Sequence, residues 1–585
     1  MRYVIVVDVG STTTKALLFG LDEEWRLLQR GEAATTVEAP YEDVMVGVQR
    51  SVQMLQERCG FALIDDTAPG FALISDGFLA TSSAGGGLQM VACGNVAKIS
   101  VESAERAAMG GGAILLDVFS LDDGRDQFQR LERLRTLRPD MILISGGIEG
   151  AKITSFVTEM CDFIRTSKPR PKFGYTHALP VIYAGTSSAS DIVDDLLGDG
   201  FVVRKVPNLR PDFDRENLEP TRQMIHELFI EHVMSNAPGY GQLQTRVSLP
   251  LMPTPTAVGE ILSLYAAKRK VNVLCVDIGG ATTDVFSVVH GMYVRSVSAN
   301  YGMSYSIGQV ASVAGEGNVH RWIPVPMSTE EMLNRLANKL LFPVTIPAEK
   351  EDLWVEQAAA REALRLSFED HLAIAKVQEK RSLFASTLSR AEREIDIAEF
   401  DLIIGSGGVL SNAPDRGQSA AMMLDAFQPM GVTELMVDSV FMLPHLGSFA
   451  QMDQAGAMNI LEKDCLLPLG TSLVPQGQLE RGKLGLTIRG ESSSGQSIEA
   501  SVNGGDLTVC PLASDETATI DISVHNGLRW LGETSITVRG GVVGIIMDLR
   551  GRPLVCEPPT QADQASYALE WLENLKATNL KEGAL

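Results

Sequence analysis

Two rhythms of apolar and polar positions run along the chain. Short runs of β-branched and aliphatic residues, Tyr3 to Val7 and Val271 to Val276, read as buried strands. Each delivers an Asp, Asp8 or Asp277, into a turn of Gly, Ser and Thr, and a second apolar run follows. The stretches VDVGSTTTKALLFG (7–20) and VDIGGATTDVFSVVHG (276–291) are near-copies 269 residues apart, 277 minus 8. One such turn is a common polar hairpin. Two predict a duplicated subdomain.

Around these copies the pattern predicts further elements. Trp25 to Ala33 reads as a third strand, and a helix over 42–57 carries Val44, Val48, Val52 and Leu55 on one face. Phe71 to Ile74 reads as a short strand, and the glycine-rich 82–94 runs into another. Beyond residue 100 or so, helices (Ser103–Met109, Asp126–Thr136) alternate with strands (Ala113–Val118, Asp140–Ile144, Leu179–Tyr183, Phe201–Val206). That alternation predicts a parallel α/β layer inserted over 98–215. Its loops SGGIEG and AGTSSAS follow strand ends, where open α/β sheets place ligands; plain turns are the alternative.

Helix Thr221–Met234 and a Pro-marked helix from Ala257 lead into the second copy, and the charges of the helical block Glu349–Glu399 read as a solvated face. Leu402–Ile404 reads as a strand, Gln418–Phe427 as a helix and Phe441–Leu443 as a strand. Ala455, Gly456 and Ala457 are small enough to let two helices cross closely at a hinge between the halves. From Asp464 the period falls to two, which predicts an all-β module with a closing helix over Gln564–Leu575. The expected organisation is therefore α/β: 1–97, a first half; 98–215, an inserted α/β domain; 216–463, a second half with a helical insert; 464–585, a β-rich domain.

A chain of 585 residues has room for three or four domains. Its net charge of −23 argues against non-specific nucleic-acid binding, which needs a basic face. The seven cysteines are scattered singly, with no C-x-x-C pair, and read as reduced thiols rather than as a disulfide frame, zinc site or iron–sulfur cluster. MRYVIVVDVG lacks the features of a signal peptide and no apolar stretch is long enough to span a membrane, so a cytoplasmic protein is expected.

The two turns are built for anions. Gly10, Gly279 and Gly280 let backbone N–H groups approach phosphate closely, and Ser11, Thr12, Thr13, Thr282 and Thr283 offer hydroxyl donors. Lys15, just past the first turn, brings an ammonium within reach of phosphate oxygens. Asp8 and Asp277 are hard oxygen ligands for Mg²⁺ or its water shell. A third element, DLIIGSGGVLSN (401–412), is a strand followed by a turn of Gly405, Gly407 and Gly408.

With these three elements the sequence resembles the actin, Hsp70 and sugar-kinase superfamily, in which two ribonuclease-H-like halves clamp Mg-ATP. The resemblance implies ATP/ADP and Mg²⁺ as cofactors, adenosine on the Gly405–Gly408 turn, and Asp8 and Asp277 as the catalytic pair. Nearly full length, the motifs VDVGSTTTK, SSAGGGLQMV, ESAERAAMGGGA, PDMILISGG, LPVIYAG, VDIGGATTDV, IGSGGVL, LLPLGT and RGGVVGIIMDLRGRP are similar to those of the MutL (GlmL) family, which is distinct from the mismatch-repair protein of that name. That family implies an ATP-dependent reactivating chaperone with an adenosylcobalamin-dependent mutase as protein client, and no nucleic-acid or membrane partner.

The chain departs from the pattern after the second hairpin. Hsp70-like relatives commonly carry an acidic residue before a glycine pair there. The MutL pattern carries a Glu-Gly-Asp-Leu-Gly-Met-Arg run there, and here SANYGMSYS places Ala299, Asn300 and Ser304 in it, without two of the charges and the Arg, which bears on hydrolysis rate rather than on ATP binding. The client, glutamate mutase or a related aminomutase, and a homodimeric state stay open. The enzyme alternatives are a hydantoinase- or carboxylase-like subunit and a small-molecule kinase. No clear substrate-side Asp supports the kinase, and a dehydratase activator would need a Cys pair to share its iron–sulfur cluster.

Overall fold

The computed structural model describes residues 2–10, 13–37, 40–65, 71–83, 88–111, 113–150, 154–170, 178–212, 215–229, 231, 238–280, 282–298, 300–304, 306–343, 345–378, 392–554 and 561–576. They fall into two units, each described by itself: 1–261 with 378–393 and 443–463, and 262–377 with 394–442 and 464–585.

In the first unit the amino-terminal valine run forms β1 (Arg2–Val9), which folds back through β2 (Thr13–Leu21) and β3 (Trp25–Ala34) as an antiparallel meander. β4 (Gly77–Ser82) joins β1 in parallel. Val4 to Val7 are fully buried because helices cover both faces of this sheet. Helix Val44–Cys59 covers one with Val44, Val48, Val52 and Leu55, capped by the Asp43 carboxylate on the Met45 N–H and closed by left-handed Gly60. Helix Leu443–Ala450 packs Phe449 against Phe19 with ring centroids 5.2 Å apart.

The chain then builds a separate, fully parallel sheet from β5 (Leu88–Gly94), β6 (Ala113–Ser120), β7 (Met141–Gly146), β8 (Leu179–Gly185) and β9 (Phe201–Lys205), in the order β6-β5-β7-β8-β9. The expected inserted layer therefore begins one strand earlier than the alternation suggests. Met90, Val91, Ala92 and Cys93 are all fully buried, as befits a central parallel strand covered on both faces. β10 (Met252–Pro253) brings the chain back beside β4.

In the second unit β11 (Val273–Ile278), β12 (Thr283–Val289) and β13 (Met292–Ser298) repeat the meander. Among the described residues β14 (Lys376–Gln378) and β15 (Glu392–Glu394) form a two-stranded ribbon apart from this sheet. β16 (Leu402–Ser406) then joins β11 in parallel and β17 (Gly431–Asp438) joins β16 in parallel. The strand sequence β3-β2-β1-β4-β10 of the first unit thus recurs, with the same directions, as β13-β12-β11-β16-β17. This is the ribonuclease-H-like arrangement, made twice.

The carboxy-terminal β region divides. β18 (Leu466–Val474), with β21 (Leu507–Cys510) and β24 (Gly544–Asp548), extends the second sheet to eight strands. β19 (Leu484–Ser492), β20 (Ser497–Asn503), β22 (Thr517–Val524) and β23 (Ser535–Arg539) form the separate antiparallel sheet. Gly470 shows why β18 sits against β24: at φ 149°, a Cβ there would lie 1.9 Å from the Gly544 carbonyl oxygen.

Three local readings differ. Phe71–Ile74 supplies only an isolated bridge, Leu73 to Ile64, and the strand of that region is the wholly buried β4. Phe441–Leu443 leads into a helix, and the strand there is β17. The block from Glu349 is the helix Lys350–Ile374, of which Arg361, Glu362 and His371 are buried rather than solvated, while residues 379–391 lie outside the described ones. Glu362 is buried because Trp322 Nε1 (2.8 Å) and Arg321 (3.1 Å) donate to it.

His371 lies between two serines of the β12–β13 meander, its Nε2 2.8 Å from Ser287 Oγ and its Nδ1 2.9 Å from Ser296 Oγ. Complete burial pushes its imidazole down from 6.5 to about 3. The folded chain refuses a proton that the unfolded chain takes up, so stability is full above pH 6.5 and is lost as pH falls toward 3. The expected loss between pH 7.5 and 5 is about 2 kcal/mol in urea unfolding, and His371→Gln should remove that part of the acid sensitivity.

Candidate functional site

The two turns close in the same way. Gly10 N–H donates to the Thr13 carbonyl at 3.1 Å, and Gly279 N–H to the Thr282 carbonyl at 2.9 Å. A Cβ would lie 2.7 Å from the first oxygen and 3.1 Å from the second, so at Gly10 a side chain would displace the turn itself. Asp8 and Asp277 stand two residues before these glycines at corresponding strand ends.

Their surroundings differ. Asp8 is 8 % exposed, and its Oδ1 accepts from Thr81 Oγ1 at 2.8 Å and from Thr254 Oγ1 at 2.6 Å. Thr81 lies beside Asp8 in the parallel register of β4, and Thr254 opens the long helix Thr254–Arg269. These two hydroxyls orient the carboxylate. Asp277 is exposed; its parallel neighbour in β16 is Ser406. Across the hairpins Asp8 faces half-exposed Lys15, whereas Asp277 faces Asp284, which accepts from Arg295 Nε at 2.9 Å. The two copies therefore carry different charge: one cation beside the first Asp, a second carboxylate beside the other.

Thr13 and Thr282 are half-buried at the turns. Thr283 is fully buried and donates to the Tyr301 carbonyl at 2.6 Å. It braces the loop, which corrects its expected role as a phosphate donor. Its counterpart Thr14 is equally buried, 3.1 Å from the Thr35 hydroxyl. Ser11, Thr12 and Ala299 lie outside the described residues.

Within the second unit the glycine-rich turn meets the hairpin. Gly407 follows β16 at φ 101°, and a Cβ on it would lie 2.2 Å from the Ile278 carbonyl oxygen, one residue past Asp277. Its own carbonyl accepts from Leu410 N (3.1 Å) and Ser411 N (2.8 Å), turning the chain into the short helix Gly408–Ser411. Gly405 is pinned by Leu410 and Met423, each 3.0 Å from a Cβ position, while a Cβ on Gly408 would meet nothing within 4 Å. The structure thus brings Asp277, Gly279, Gly280 and Thr282 together with Gly405, Gly407 and Gly408 in one unit, and Asp8, Gly10, Thr13 and Lys15 in the other. The departing loop also reaches the hairpin: Met303 N–H donates to the Gly279 carbonyl (2.9 Å) and Ser304 N–H to that of Gly280 (2.8 Å).

Among the described residues no group of three or more His, Cys, Asp or Glu could hold a metal ion. Cys93, Cys161, Cys275 and Cys465 are buried free thiols, and burial pushes Cys161 up to about 12. Gly456 is not at a crossing of two helices: a Cβ there would lie 2.4 Å from the Trp25 ring, so its smallness lets helix Gln454–Ile460 pack on β3. In the parallel sheet, residues of the SGGIEG and AGTSSAS loops (Glu149, Gly185, Ser187, Ser190) help line a cavity of about 370 Å³. No helix among the described residues is long and apolar enough to cross a membrane.

Sequence reasoning missed Thr81 and Thr254. The one signal for Thr254 is its place in the MPTPT stretch that starts a helix.

A MutL protein of Clostridium tetanomorphum is 26 % identical over 492 residues, covering 79 % of this chain and 99 % of that protein. Among solved structures, a nucleotide-free diol dehydratase-reactivating factor is 9 % identical, with TM-score 0.31 and coverage of 78 % of this chain and 100 % of that one. A ligand-bound xylulose kinase from Lactobacillus acidophilus is 10 % identical, with TM-score 0.31 and coverage of 81 % and 94 %. The family description "MutL protein" matches residues 4–465, a span that takes in both hairpins and the glycine-rich turn, and the chain belongs to that family.

Proposed function

We propose that this chain binds Mg-ATP through its two hairpins and uses it to reactivate an adenosylcobalamin-dependent mutase, glutamate mutase or a related aminomutase, in the cytoplasm. The carrying observation is the turn made twice at equivalent positions, each with a strand-end Asp. Membership of the MutL family supports the accessory role. Asp8, held by Thr81 and Thr254, and exposed Asp277 would hold the cation's water shell. Mg²⁺ supplies charge neutralisation of the phosphates when bound. Gly10 and Gly279 close the turns through their own N–H groups and keep the backbone bare of side chains where phosphate approaches, Gly280 offers its N–H to phosphate oxygens, Lys15 adds a positive charge, and the Gly407–Gly408 turn receives the adenosine. Asp277, being exposed, orients the attacking water. Phosphoryl transfer depends mainly on such positioning and electrostatics, so these residues need form no covalent bond. Release of damaged cobalamin from the client would follow from the change in phosphate contacts on hydrolysis.

The test is ATP turnover with and without a mutase inactivated by hydroxocobalamin. ATP-dependent recovery of mutase activity, with turnover stimulated by the client, is the expected result. Asp277→Ala should lower turnover on the order of 10²-fold while leaving the unfolding curve in place. Asp8→Asn should do the same; Ala would strand the buried Thr81 hydroxyl and the half-buried Thr254 hydroxyl. Unchanged turnover in both variants overturns the assignment. Turnover that requires a small alcohol or a cyclic amide would make the chain an enzyme of the kinase or hydantoinase type instead.

A further inference from the structure

Helix Thr329–Leu341 ends in a segment that a solvated surface does not explain. Leu340 (45 % exposed), Leu341 (70 %), Phe342 (61 %) and Ile346 (85 %) project together from its carboxy-terminal end. Single exposed apolar side chains are ordinary; four within seven residues are a patch. The turn that carries them is built. Thr345 donates to the Phe342 carbonyl through both its N–H (3.1 Å) and its hydroxyl (2.8 Å), and Lys339 Nζ donates to the Thr345 carbonyl. Phe342 and Ile346 are thus held on either side of a closed turn.

The turn is also tied to the second hairpin. Ser304 donates its N–H to the Gly280 carbonyl at 2.8 Å and its hydroxyl to the Pro343 carbonyl at 2.9 Å. One residue therefore joins the phosphate-facing glycine, through its backbone N–H, to the apolar turn, through its hydroxyl. A Cβ on Gly280 would lie in ordinary contact with the same hydroxyl, at 3.5 Å, so the glycine and the Ser304 side chain are neighbours.

The surroundings say what can dock there. From Glu330 to Glu356 there are six carboxylates (330, 331, 349, 351, 352, 356) against three cations (335, 339, 350). Arg335 is already engaged by Glu331, Glu349 and Asp352, and Lys339 by Glu356 at 3.0 Å. The rim is acidic. A second copy of a chain with net charge −23 would meet like charge; a basic rim would meet its complement.

We propose that Leu340, Leu341, Phe342 and Ile346 are the docking knob for a protein partner that presents an apolar groove with a basic rim, and that Ser304 couples this knob to the second phosphate hairpin. The coupling half rests on the nucleotide-binding reading above. Ser304 is a positioning residue: it touches the glycine that faces phosphate, not the phosphate.

Two measurements on the full chain test this. The first is binding to hydroxocobalamin-inactivated glutamate mutase by interferometry, with Phe342→Asp/Ile346→Asp beside the unaltered chain. A loss of about 10-fold or more in affinity, with client-free ATP turnover unchanged, is expected. Equal affinity, with mutase still reactivated by both proteins, overturns the knob and leaves the functional reading standing. No binding by the unaltered chain overturns that reading and this partner together. Dimerisation that the double variant abolishes assigns the surface to a second copy and overturns the proposal. The second measurement is amide exchange in the peptide covering 340–346, with Mg-ADP and with a non-hydrolysable Mg-ATP analogue. Protection should differ between the two nucleotides in the unaltered chain and in Ser304→Thr, and the difference should vanish in Ser304→Ala. A nucleotide response that persists in Ser304→Ala overturns the coupling.

Discussion

Asp425→Ala should cost the second unit about 3–5 kcal/mol, read as a shift in urea or thermal unfolding. Asp425 lies on helix Arg416–Phe427, 3 % exposed, between two guanidinium groups: Arg361 Nε donates to it at 2.6 Å and Arg550 Nη1 at 2.7 Å. Arg550 and Arg552 in turn each place an N–H 2.8 Å from Asp548 Oδ2. Burial alone would raise the Asp548 carboxyl, but the two guanidiniums outweigh it and hold it well below the usual carboxylate range. Three buried cations thus share two carboxylates, and deleting Asp425 leaves Arg361 without its carboxylate and Arg550 and Arg552 with Asp548 alone, all out of reach of water. An exposed pair gives the contrast. Arg489 and Glu499, 72 % and 65 % exposed at 2.9 Å, should cost no more than about 1 kcal/mol when separated. If the Asp425 loss were no larger than that, water would have to reach the cluster. Because Arg550 and Arg552 lie just after β24, the same variant should loosen the carboxy-terminal strands first, visible as faster amide exchange there.

Gly407 and Gly408 should separate stability from nucleotide binding. Gly407→Ala forces an L residue to φ 101° and drives its Cβ to 2.2 Å from the Ile278 carbonyl, so β16 must shift against β11 and the strand end carrying Asp277 shifts with it. The expected cost is about 1–3 kcal/mol in unfolding, together with loss of ATP binding. At Gly408 a new Cβ meets no protein atom, so Gly408→Val should leave unfolding within about 1 kcal/mol. If the turn receives adenosine, that variant should still weaken ATP affinity by about 10-fold or more, since 1.4 kcal/mol of lost contact suffices. Equal ATP affinity in Gly408→Val would remove the adenosine from this turn. Calorimetric titration with Mg-ATP beside a thermal scan of each variant reads both quantities.

The parts of the site that were legible in sequence are those made by neighbours in the chain. Gly10 and Gly279 close turns onto residues three positions ahead, and the strand before Gly407 announces its turn. Thr81 and Thr254 were not legible, because they meet Asp8 from 73 and 246 residues away and no local pattern marks either hydroxyl. Thr283 looked like a phosphate donor for the opposite reason: composition marks a hydroxyl in a glycine-rich turn but not which way it points, and the Tyr301 carbonyl captures it. Strand rhythm failed where both faces are covered. β4 is buried on both sides and has no alternation to read. At the carboxy terminus the period of two was real, yet it could not tell strands of an independent sheet from β18, β21 and β24, which add to the second sheet. Charge misled in helix Lys350–Ile374, where Arg361 and Glu362 are buried because their partners come from other elements.

The chain leaves the first sheet after Ser82 and returns to it at Met252, and these ends are neighbours: Met252 pairs with Thr81 and Pro253 with Ser82. Everything between, including the whole five-stranded parallel sheet, leaves and rejoins the first sheet at two adjoining points of one strand pair. Such a junction adds little closure entropy however long the intervening segment becomes, since that cost grows only with the logarithm of length. In evolutionary terms, length can accumulate between Ser82 and Met252 while the strand pair that bears Asp8 and Thr81 keeps its register.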